Sequence, residues 1–553
     1  MAQIDYRVNL SAAVYPMTLA KAGKSVIIPG PDQNFEWRID AAGETNARSA
    51  GIPQVMYMEN VLPTSEGFRS IALVESTPIA LAQFETIITA RRVRASTATN
   101  PESSYHLLFL SSAKILASYD PRGPYFQLTN SAGFPAQLFP GSVSFADVKG
   151  STYFRTSGRV FRLAITGAVG PDMVEETITG LPVPNADIVS ICGSFNYLIF
   201  HSSTAIYWSS TTIPTDFAPS LVSGAGVEFP NNIKSNILFL KPHSEGFFIC
   251  CEFNLIFARY TGNSRYPWKF TEIKESGGYK TDLQIAGDSQ ASINYGVNTN
   301  SFIQAISPEL CDVIAPEITQ FLSEAATYDS FNYSTNIFID QPHVKLRSGK
   351  AFYLFDRYVL VSYDRNYIEG FNEGAKNVFV YDKLLKRYGN IKINHDYVVE
   401  SASNVLPFPA ANTSEPAFVF IDYVTGKITS TTFNYQNITS ANLHKAVILL
   451  GKFKLTRSRW VTLEEATIES IAYNFNGTNF VNNFSATIVY TLDGKTFETP
   501  KDLYLIPPSA LNISNIKTLK YLGHTSCSNF SLLLKGAFDL NTVELRMHID
   551  GIR

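Results

Sequence analysis

The residues that could carry acid–base chemistry are spread thinly along the sequence. The eight histidines stand singly, at positions 106, 201, 243, 343, 395, 444, 524 and 548. His395 directly precedes a carboxylate, Asp396, and is the histidine best placed to act as a base with an orienting partner. Neighbouring residues of an extended segment point to opposite sides, so the two side chains form a poor couple. We therefore predict no catalytic residue at this pair.

Two further carboxylates deserve weighing as a glycan-hydrolysing or carbohydrate-binding pair. Asp356 lies at the turn, and Asp364 at the end, of one predicted hairpin, and paired carboxylates carry out glycoside hydrolysis. Solvated turn residues are the favoured interpretation of both. The run Thr491–Phe497 superficially resembles the Asp-box of sialidase-like propellers, Ser-x-Asp-x-Gly-x-Thr-Trp. It lacks the residue between Asp and Gly, so an ordinary hairpin turn is favoured.

The sequence lacks the motifs of the main enzyme and metal-site classes. It has no His-Glu-x-x-His, no Gly-x-Ser-x-Gly, no phosphate-binding Gly-x-x-x-x-Gly-Lys-Ser/Thr and no dinucleotide fingerprint. Five cysteines include the neighbours Cys250 and Cys251, and no Cys-x-x-Cys occurs, which argues against zinc and against a disulfide framework. We predict a non-enzyme with no catalytic, cofactor-binding or metal-binding residues and no cofactor.

The composition is that of a folded protein with few charges. Of 553 residues, 45% are hydrophobic, 13% aromatic and only 17% charged, against roughly 25% in typical soluble domains. The net charge of −3 argues against a surface built to bind nucleic acid. Two basic clusters, 383–387 and 452–460, are interpreted as charged strand edges rather than as nucleic-acid sites. The start of the sequence has no apolar signal-peptide core, and no run of about 18 apolar residues predicts a membrane span.

The elements that must position these residues are short strands. Apolar runs alternate with Gly, Asn, Asp and Ser turns, and hairpins recur about every 45 residues, close to the length of one four-stranded propeller blade. Clear examples are 196–208, 247–260 and 352–363. The sequence predicts an all-β fold with a β-propeller of five to seven blades over residues 81–440; a pair of sandwiches is the alternative.

Three other segments depart from the repeats. Apolar residues in 308–325 are spaced close to helical periodicity, which predicts a short helical insertion. After about residue 440, the turn signals Asn476-Gly477 and Asp493-Gly494 separate extended runs, predicting a C-terminal antiparallel β-sandwich or platform domain over 441–553. Residues 1–80 are expected to be an N-terminal extended segment that packs on the platform and leads into the first blade.

Three stretches resemble one known family. The run Glu59–Arg69 resembles its Asn-x-x-Pro-Thr-x-x-Gly strand and turn, and Trp208-Ser209 with Pro214–Phe217 resembles its blade turn. The run Cys527–Ile549 is similar to its closing sheet. The family is the tail nozzle, or tail-hub β-propeller (tail tubular protein B-like), of short-tailed bacteriophages.

The resemblance implies a structural virion protein of a podovirus. Its members form a ring, expected to be a homohexamer, at the distal end of the tail, which conducts and gates genome ejection. The implied partners are other copies of the chain, a tail adaptor protein, tail fibre or spike proteins, and passing double-stranded DNA without sequence-specific binding, with no membrane anchor. The implied location is the virion tail, after synthesis in the host cytoplasm. The helical insertion 308–325 and the loop 261–269 are the candidate gates. A carbohydrate-binding or glycan-hydrolysing propeller, or a cellular scaffold propeller, is the alternative.

Overall fold

Strands make up almost all of the regular structure, as the many aromatic and β-branched residues favour. The computed structural model describes residues 2–8, 20–21, 24–25, 38–39, 45–46, 55–94, 104–128, 137–165, 171–220, 224–287, 290–315, 330–332, 337–339, 349–363, 375–401, 417–432, 446–453, 461–472, 484–491, 501–502, 504–505, 516–520, 526–527, 529–536 and 538–549. Nine strands come before the repeats: β1 (Ala2–Val8), β2 (Ala20–Lys21), β3 (Lys24–Ser25), β4 (Arg38–Ile39), β5 (Thr45–Asn46), β6 (Val55–Glu59), β7 (Val61–Pro63), β8 (Phe68–Ser70) and β9 (Ala72–Glu75).

The first five blades follow in chain order, each an antiparallel four-stranded sheet. Blades 1 and 2 are β10 (Ile87–Arg94), β11 (Ser104–Leu110), β12 (Ile115–Ser118), β13 (Phe126–Gln127), β14 (Ser144–Val148), β15 (Ser151–Thr156), β16 (Arg159–Ile165) and β17 (Pro171–Glu176). Blades 3 and 4 are β18 (Ser190–Ser194), β19 (Tyr197–His201), β20 (Ile206–Trp208), β21 (Gly226–Glu228), β22 (Ile237–His243), β23 (Gly246–Cys251), β24 (Leu255–Tyr260) and β25 (Trp268–Ile273). Blade 5 is β26 (Ile285–Ala286), β27 (Asn294–Val297), β28 (Ile303–Ile306) and β29 (Cys311–Val313). Two 3-10 turns, Asn185–Asp187 and Asp282–Gln284, lie between blades.

The last two blades use the chain differently. After the hairpin β30 (Ser330–Asn332) and β31 (Ile337–Ile339), blade 6 is β32 (Lys350–Leu354), β33 (Tyr358–Tyr363), β34 (Ala375–Asp382) and β35 (Arg387–His395). Blade 7 takes β36 (Tyr397–Glu400), β37 (Phe418–Ile421) and β38 (Ile428–Thr432) from this region and its fourth strand, β9, from the N-terminal segment. Thr429 pairs with Glu75 and Thr432 with Ala72. Two distant parts of the chain thus close the ring by backbone hydrogen bonds.

The chain is an all-β propeller, and the described residues form seven blades, the upper end of the predicted range. Apolar side chains fill the gaps between adjacent blades: Phe109 packs on Phe154 between blades 1 and 2, and Tyr295 on Tyr353 between blades 5 and 6. Strands β19 and β23 are buried along their whole length, because both of their faces pack against other strands. Gly193 in β18 fits closely, since a Cβ there would lie 2.2 Å from the Asp147 carbonyl oxygen of blade 2.

The blades present two different faces. In an antiparallel sheet, successive turns lie at opposite ends of the strands. The upper face carries the connections between blades and the turns between the second and third strands of each blade. The lower face carries the turns between the first and second strands and between the third and fourth strands. Hydrogen bonds between adjacent blades join turns or connections on the same face. Ile237 N–H donates to the Ser203 carbonyl on the upper face, and Ser244 N–H donates to the Ala291 carbonyl on the lower face.

The remaining strands build two antiparallel sheets beside the propeller. They are β39 (Val447–Phe453), β40 (Val461–Ala472), β41 (Phe484–Thr491), β42 (Lys501–Asp502), β43 (Tyr504–Leu505), β44 (Ile516–Lys520), β45 (Ser526–Cys527), β46 (Asn529–Gly536) and β47 (Phe538–Ile549). One sheet has the order β42-β41-β46-β39-β6. The other runs β43-β44-β40-β47-β8-β7-β35 and is continuous with blade 6, while β1 pairs with β47. We call these two sheets the platform.

The prediction of a helix over 308–325 is wrong for its described part. Residues 311–313 form β29, the outer strand of blade 5, paired with β28, and Ser307 N–H donates to the Leu310 carbonyl in the turn between them. Leu310 and Val313 are exposed whereas Cys311 is buried, so the apolar residues do not share one helical face. Pairing with a neighbouring strand outweighed the local periodicity. Residues 316–325 lie outside the described part of the chain.

Candidate functional site

A cavity of about 1240 Å³ occupies the lower part of the propeller's centre. The first strand of each blade lines it, together with the turns of the lower face, so every blade contributes. Phe195 and Asn196 and, across the cavity, Phe355 and Asp356 occupy tight two-residue turns with positive φ at both positions. Such turns suit the twist of a hairpin but favour Asn and Gly over Phe.

Ion pairs connect the inner strands on one side of the cavity. Arg91 of blade 1 donates to Asp147 of blade 2 at 2.8 Å, and Arg92 donates to Glu400 of blade 7 at 2.6 Å. The other oxygen of Glu400 accepts the N–H of Phe355 in blade 6 at 2.7 Å. Charged groups thus connect blades 2, 1, 7 and 6 in series; we call these contacts the charged arc. Both arginines are about a third exposed, at 30% and 34%, so water screens them in part.

Neutral hydrogen bonds connect blades 3, 4 and 5 on the opposite side. Ser194 Oγ donates to the Gly246 carbonyl at 3.0 Å, and Asn294 Nδ2 to the Pro242 carbonyl at 3.1 Å. His243 lies between Ser292 O and Glu245 N–H, at 2.9 and 3.1 Å, and burial lowers the pKa of His243. The ring is therefore neutral, with Nε2–H donating and Nδ1 accepting. We call these contacts the neutral arc.

Burial favours the neutral forms of two titratable groups near the axis, the Cys192 thiol and the Lys241 amine. Burial raises the pKa of Cys192 to about 12. Burial lowers the pKa of Lys241, although Asp282 partly opposes this shift. The four cysteines whose side chains are described are all buried and free. No group of three or more metal-ligating side chains lies together in the described part of the chain.

The residues singled out as possible acid–base groups have structural partners. His395 is buried between Ser362 Oγ and the Ile393 carbonyl, both at 2.7 Å, and burial lowers its pKa to about 4. Asp396 instead accepts from Lys350 Nζ at 3.2 Å and from Tyr423 N–H at 2.9 Å. The histidine and the carboxylate thus act separately: His395 bonds within blade 6, whereas Asp396 joins blade 6 to blade 7.

The two other candidate carboxylates are not placed together by the described residues. Asp356 is exposed at the turn between β32 and β33, on the rim of the cavity. Asp364 lies outside the described residues, as does the turn 492–497 that shares features with the Asp-box. A glycan site at Asp356 and Asp364 stays a prediction.

Two basic residues of the cluster 383–387 make contacts within the chain. Lys383 Nζ donates to Tyr353 Oη at 2.7 Å, and the largely buried Arg387 donates to the Thr64 carbonyl and lies 4.6 Å from the Phe68 ring centre. Residues 383–386 form the turn between β34 and β35, and Arg387 begins β35; the interpretation of the cluster as a charged strand edge stays a prediction. Of the second cluster, residues 454–460 lie outside the described part.

The candidate gate 261–269 lies away from the axis. It connects β24 to β25, and β25 is the outermost strand of blade 4, opposite the inner strand β22. Residues 261–266 are exposed on the lower face at the rim. A single chain does not define the axis of a ring of subunits, so the role of this loop as a gate stays a prediction.

The hairpin β7–β8 is the strongest candidate for a functional element, because it joins the propeller to the platform. We call residues 60–70 the joint hairpin. It lies between β35 of blade 6 and β47 of the platform, so one sheet passes through all four strands. Thr64 closes its turn, since Thr64 N–H donates to Gly67 O and Gly67 N–H to Thr64 Oγ1, both at 3.0 Å. The Asn-x-x-Pro-Thr-x-x-Gly motif thus encodes a rigid turn.

Side chains fasten both sides of the joint hairpin. On the propeller side, Asn60 Oδ1 accepts Lys392 N–H at 2.9 Å, and Asn390 Nδ2 donates at 3.0 Å to the carbonyl of Met58 in β6, just before the hairpin. On the platform side, Arg69 donates twice to one carboxylate oxygen of Asp539, at 3.0 and 2.7 Å. Hydrogen bonds to charged groups are worth roughly 1.5–3 kcal/mol. The propeller and the platform are therefore coupled through a hydrogen-bonded sheet.

The second motif of the resemblance holds blades 2 and 3 together by packing and hydrogen bonding. Phe217 is buried against Phe200, with ring centres 4.5 Å apart, and Phe217 N–H donates to the Thr179 carbonyl at 2.8 Å. Trp208 Nε1 donates to the Gly224 carbonyl at 2.7 Å. The Trp-Ser and Pro-x-Asp-Phe residues thus serve packing.

Sequence reasoning missed the contacts that connect the blades across the cavity. Arg92 and Glu400 are 308 positions apart, and nothing local predicts their pairing. The consecutive arginines Arg91 and Arg92 inside an apolar strand were the available signal, because a buried strand carries charge only where partners exist. No helix in the described residues is long and apolar enough to cross a membrane.

Comparisons with known proteins return propeller folds at low similarity. No family model and no curated protein matches the sequence. Among solved structures, YCF48 from Cyanidioschyzon merolae is 10% identical, with a TM-score of 0.35 over 65% of this chain and 98% of its own. The Cps50 (Swd1) β-propeller domain from Myceliophteria thermophila is 8% identical, with a TM-score of 0.36 over 66% of this chain and 100% of its own. The Neurospora crassa Pan2 WD40 domain is 9% identical, with a TM-score of 0.30 over 53% and 88%.

Proposed function

We propose that this chain is a structural subunit of the distal tail nozzle of a short-tailed bacteriophage. Copies of the chain, six in the form that the sequence resemblance implies, surround the path by which the genome leaves the virion. The subunit docks to an adaptor ring and to tail fibre or spike proteins and lets double-stranded DNA pass without binding it specifically. It is made in the host cytoplasm and works in the virion tail.

The observation that supports a mechanical role most directly is the joint hairpin. Two domains joined by a flexible linker can swing, whereas a sheet that runs from blade 6 into the platform resists rotation. Ser70 adds to this resistance, because its hydroxyl both donates to Phe538 O at 3.0 Å and accepts Phe538 N–H at 2.8 Å. A subunit of a ring that meets one partner through its platform and others through its propeller needs that rigidity.

The charge content supports the same role. A ring of identical subunits closes through heterologous contacts, which need large surfaces with few unpaired charges. Only 17% of the residues are charged, and many described charges are already paired within the chain. Asp382, for example, has a fully buried side chain and accepts Arg357 at 2.6 Å.

Peptide mass spectrometry of purified particles, combined with mass photometry of the released tail complex, tests the proposal. We expect the chain in the virion and a species of about six times 61.3 kDa. An Asp539→Asn variant keeps the size of the side chain but removes the charge opposite Arg69, so we expect fewer infectious particles at normal chain expression. Arg159→Gln, which removes an exposed pair with Glu175 on blade 2, is the matched control. Absence of the chain from particles contradicts the proposal.

A further inference from the structure

Lys241 is a cation on the wall of the central cavity that has no partner within the described chain. It lies on β22, the inner strand of blade 4, with its side chain partly buried. Its ammonium makes no hydrogen bond and no ion pair with any described residue. The other described cations of the wall each donate to an acceptor within the chain: Arg91, Arg92, Lys149 and Lys383. A partly desolvated ammonium is stabilised by an acceptor, and here that acceptor must come from the cavity.

A second donor without an acceptor lies on the same wall. Arg91 Nε, in blade 1, is buried and has no hydrogen-bond partner among the residues that the structure describes, although Nη2 of the same guanidinium donates to Asp147 at 2.8 Å. Burial lowers the pKa of Lys241 most, and the charge of Arg91 lowers it further. The two cations are therefore close enough to repel each other, and an anion placed against both would relieve that repulsion.

The cavity also offers apolar surface to a ligand. Phe195, Leu283 and Ile293 line it and are 41%, 37% and 40% exposed. The Phe195 ring is held in place by stacking on Tyr260, with ring centres 4.3 Å apart. Binding sites for small molecules combine apolar walls with a few polar groups that fix the orientation of the ligand. These walls suit a ligand with an apolar body and one anionic group.

The acidic residues of the wall limit the charge of that ligand. Asp147 is already engaged by Arg91 and by the Thr152 hydroxyl, at 2.8 and 2.6 Å. Asp282 forms no ion pair with Lys241 but lies close enough to oppose the lowering of its pKa. A doubly charged phosphate would face both of these carboxylates, and its repulsion from them would be about twice that of a singly charged group. A single carboxylate gains the contacts with the cations at a smaller electrostatic cost.

We propose that the central cavity binds a small carboxylate with an apolar body, such as an arylalkanoic acid. The carboxylate accepts hydrogen bonds from Lys241 Nζ and Arg91 Nε, and the apolar body lies against the exposed side chains of the wall. The site is formed by one chain alone, because blades 1 and 4 supply both donors. It goes beyond the proposed nozzle function and does not depend on it.

Isothermal titration calorimetry of the full-length chain with phenylacetate tests this site. We expect a Kd of about 1 mM or tighter for a ligand of this size. Phenylacetamide has nearly the same shape without the charge and should bind at least about tenfold more weakly. Phenyl phosphate, a dianion at mildly alkaline pH, should also bind more weakly than phenylacetate.

Two lysine variants locate the site within the cavity. Lys241→Met keeps most of the apolar stem but removes the ammonium, so it should weaken phenylacetate binding at least about tenfold. Burial disfavours the charge at this position, so the unfolding temperature of this variant should equal or exceed that of the wild type. Lys149→Met is the matched control: this lysine lines the same cavity but donates to the Thr212 carbonyl, and its loss should leave the affinity unchanged.

A cavity that holds only water would show no saturable binding of phenylacetate, and that result overturns the inference. Equal affinity for phenylacetamide, tighter binding of phenyl phosphate, or unchanged affinity of a folded Lys241→Met chain also overturns it. The presence of the chain in virus particles is a separate measurement, so the nozzle function can fail while the carboxylate site stands, and the reverse.

Discussion

The charged arc and the neutral arc perform the same task with different chemistry. Both connect inner strands of adjacent blades around one cavity, yet blades 2, 1, 7 and 6 use hydrogen bonds to charged groups and blades 3, 4 and 5 use neutral hydrogen bonds over apolar packing. The charged arc spans the seam between blades 7 and 1, next to the pairing of β9 with β38 in blade 7 that closes the ring. At that seam, register between two distant parts of the chain must be specified, and paired charges specify register better than apolar contacts do.

The largest expected effect comes from removing a side chain of the apolar core between blades 3 and 4, next to the neutral arc. Phe247→Ala deletes a fully buried ring that packs edge-on against Trp268, with ring centres 4.8 Å apart. Loss of a buried phenylalanine lowers the free energy of unfolding by about 3–5 kcal/mol. Urea denaturation followed by tryptophan fluorescence measures it. A loss below about 1 kcal/mol would mean that blades 3 and 4 are not held by this packing.

The next largest effect is a pH dependence that arises on both sides of the cavity, from a buried histidine in blade 3 and another at the end of blade 6. Burial lowers the pKa of His201 in blade 3 and of His395 beside blade 7 to about 4, from 6.5 in an exposed chain. The unfolded chain therefore takes up protons first, and stability falls as the pH drops from about 6.5 to about 4, by up to about 1.4 kcal/mol per unit for each histidine.

Substituting each of these two histidines checks this dependence. His201→Gln and His395→Gln should each flatten the fall in stability between pH 6.5 and pH 4, whatever their effect at pH 8. Denaturation curves at half-unit pH steps measure the slope. An unchanged slope in both variants would show that these histidines are accessible to protons in the folded state.

A smaller effect on the free energy of unfolding is expected when one contact of either arc is removed. Glu400→Gln keeps the acceptor for the Phe355 N–H but removes the charge opposite Arg92, whose side chain is partly exposed. We expect a loss of about 1 kcal/mol or less in the free energy of unfolding. The Ser194→Ala variant in the neutral arc removes one buried neutral hydrogen bond and should cost a similar amount. Equal costs with different salt dependence would sharpen the distinction between the arcs.

Salt gives the smallest effect. Raising the ionic strength from about 0.1 M to about 1 M shortens the screening length from roughly 10 Å to roughly 3 Å, which weakens partly exposed ion pairs. The cost of Glu400→Gln should therefore shrink by a few tenths of a kcal/mol at high salt, whereas the cost of Ser194→Ala should stay the same. A larger shift for Ser194→Ala would contradict the assignment of the two arcs.

The fold class could be predicted from the sequence because each blade is encoded locally. Hairpins such as 196–208 and 247–260 combine apolar runs with short polar turns, and the structure forms strands there. The strand β9 was harder, because its four residues carry no signal of pairing with β38, more than 350 positions later. The helix expected at 308–325 failed for a related reason: periodicity cannot foresee that a neighbouring strand offers hydrogen bonds to 311–313.

The candidate site shows the same limit. The motif around Asn60 and Gly67 marks a turn, but only the structure places that turn between blade 6 and the platform. The charged arc depends on side chains from four blades, and no spacing rule relates Arg91 to Asp147 or Arg92 to Glu400.

Imaging of intact virus particles by electron microscopy, with the tail averaged at a resolution that separates domains, tests the central claim most directly. The account predicts a ring of copies at the distal end of the tail, each with a propeller rigidly joined to a platform through blade 6. Particles whose tails lack this ring, together with a purified chain that stays monomeric, would contradict it.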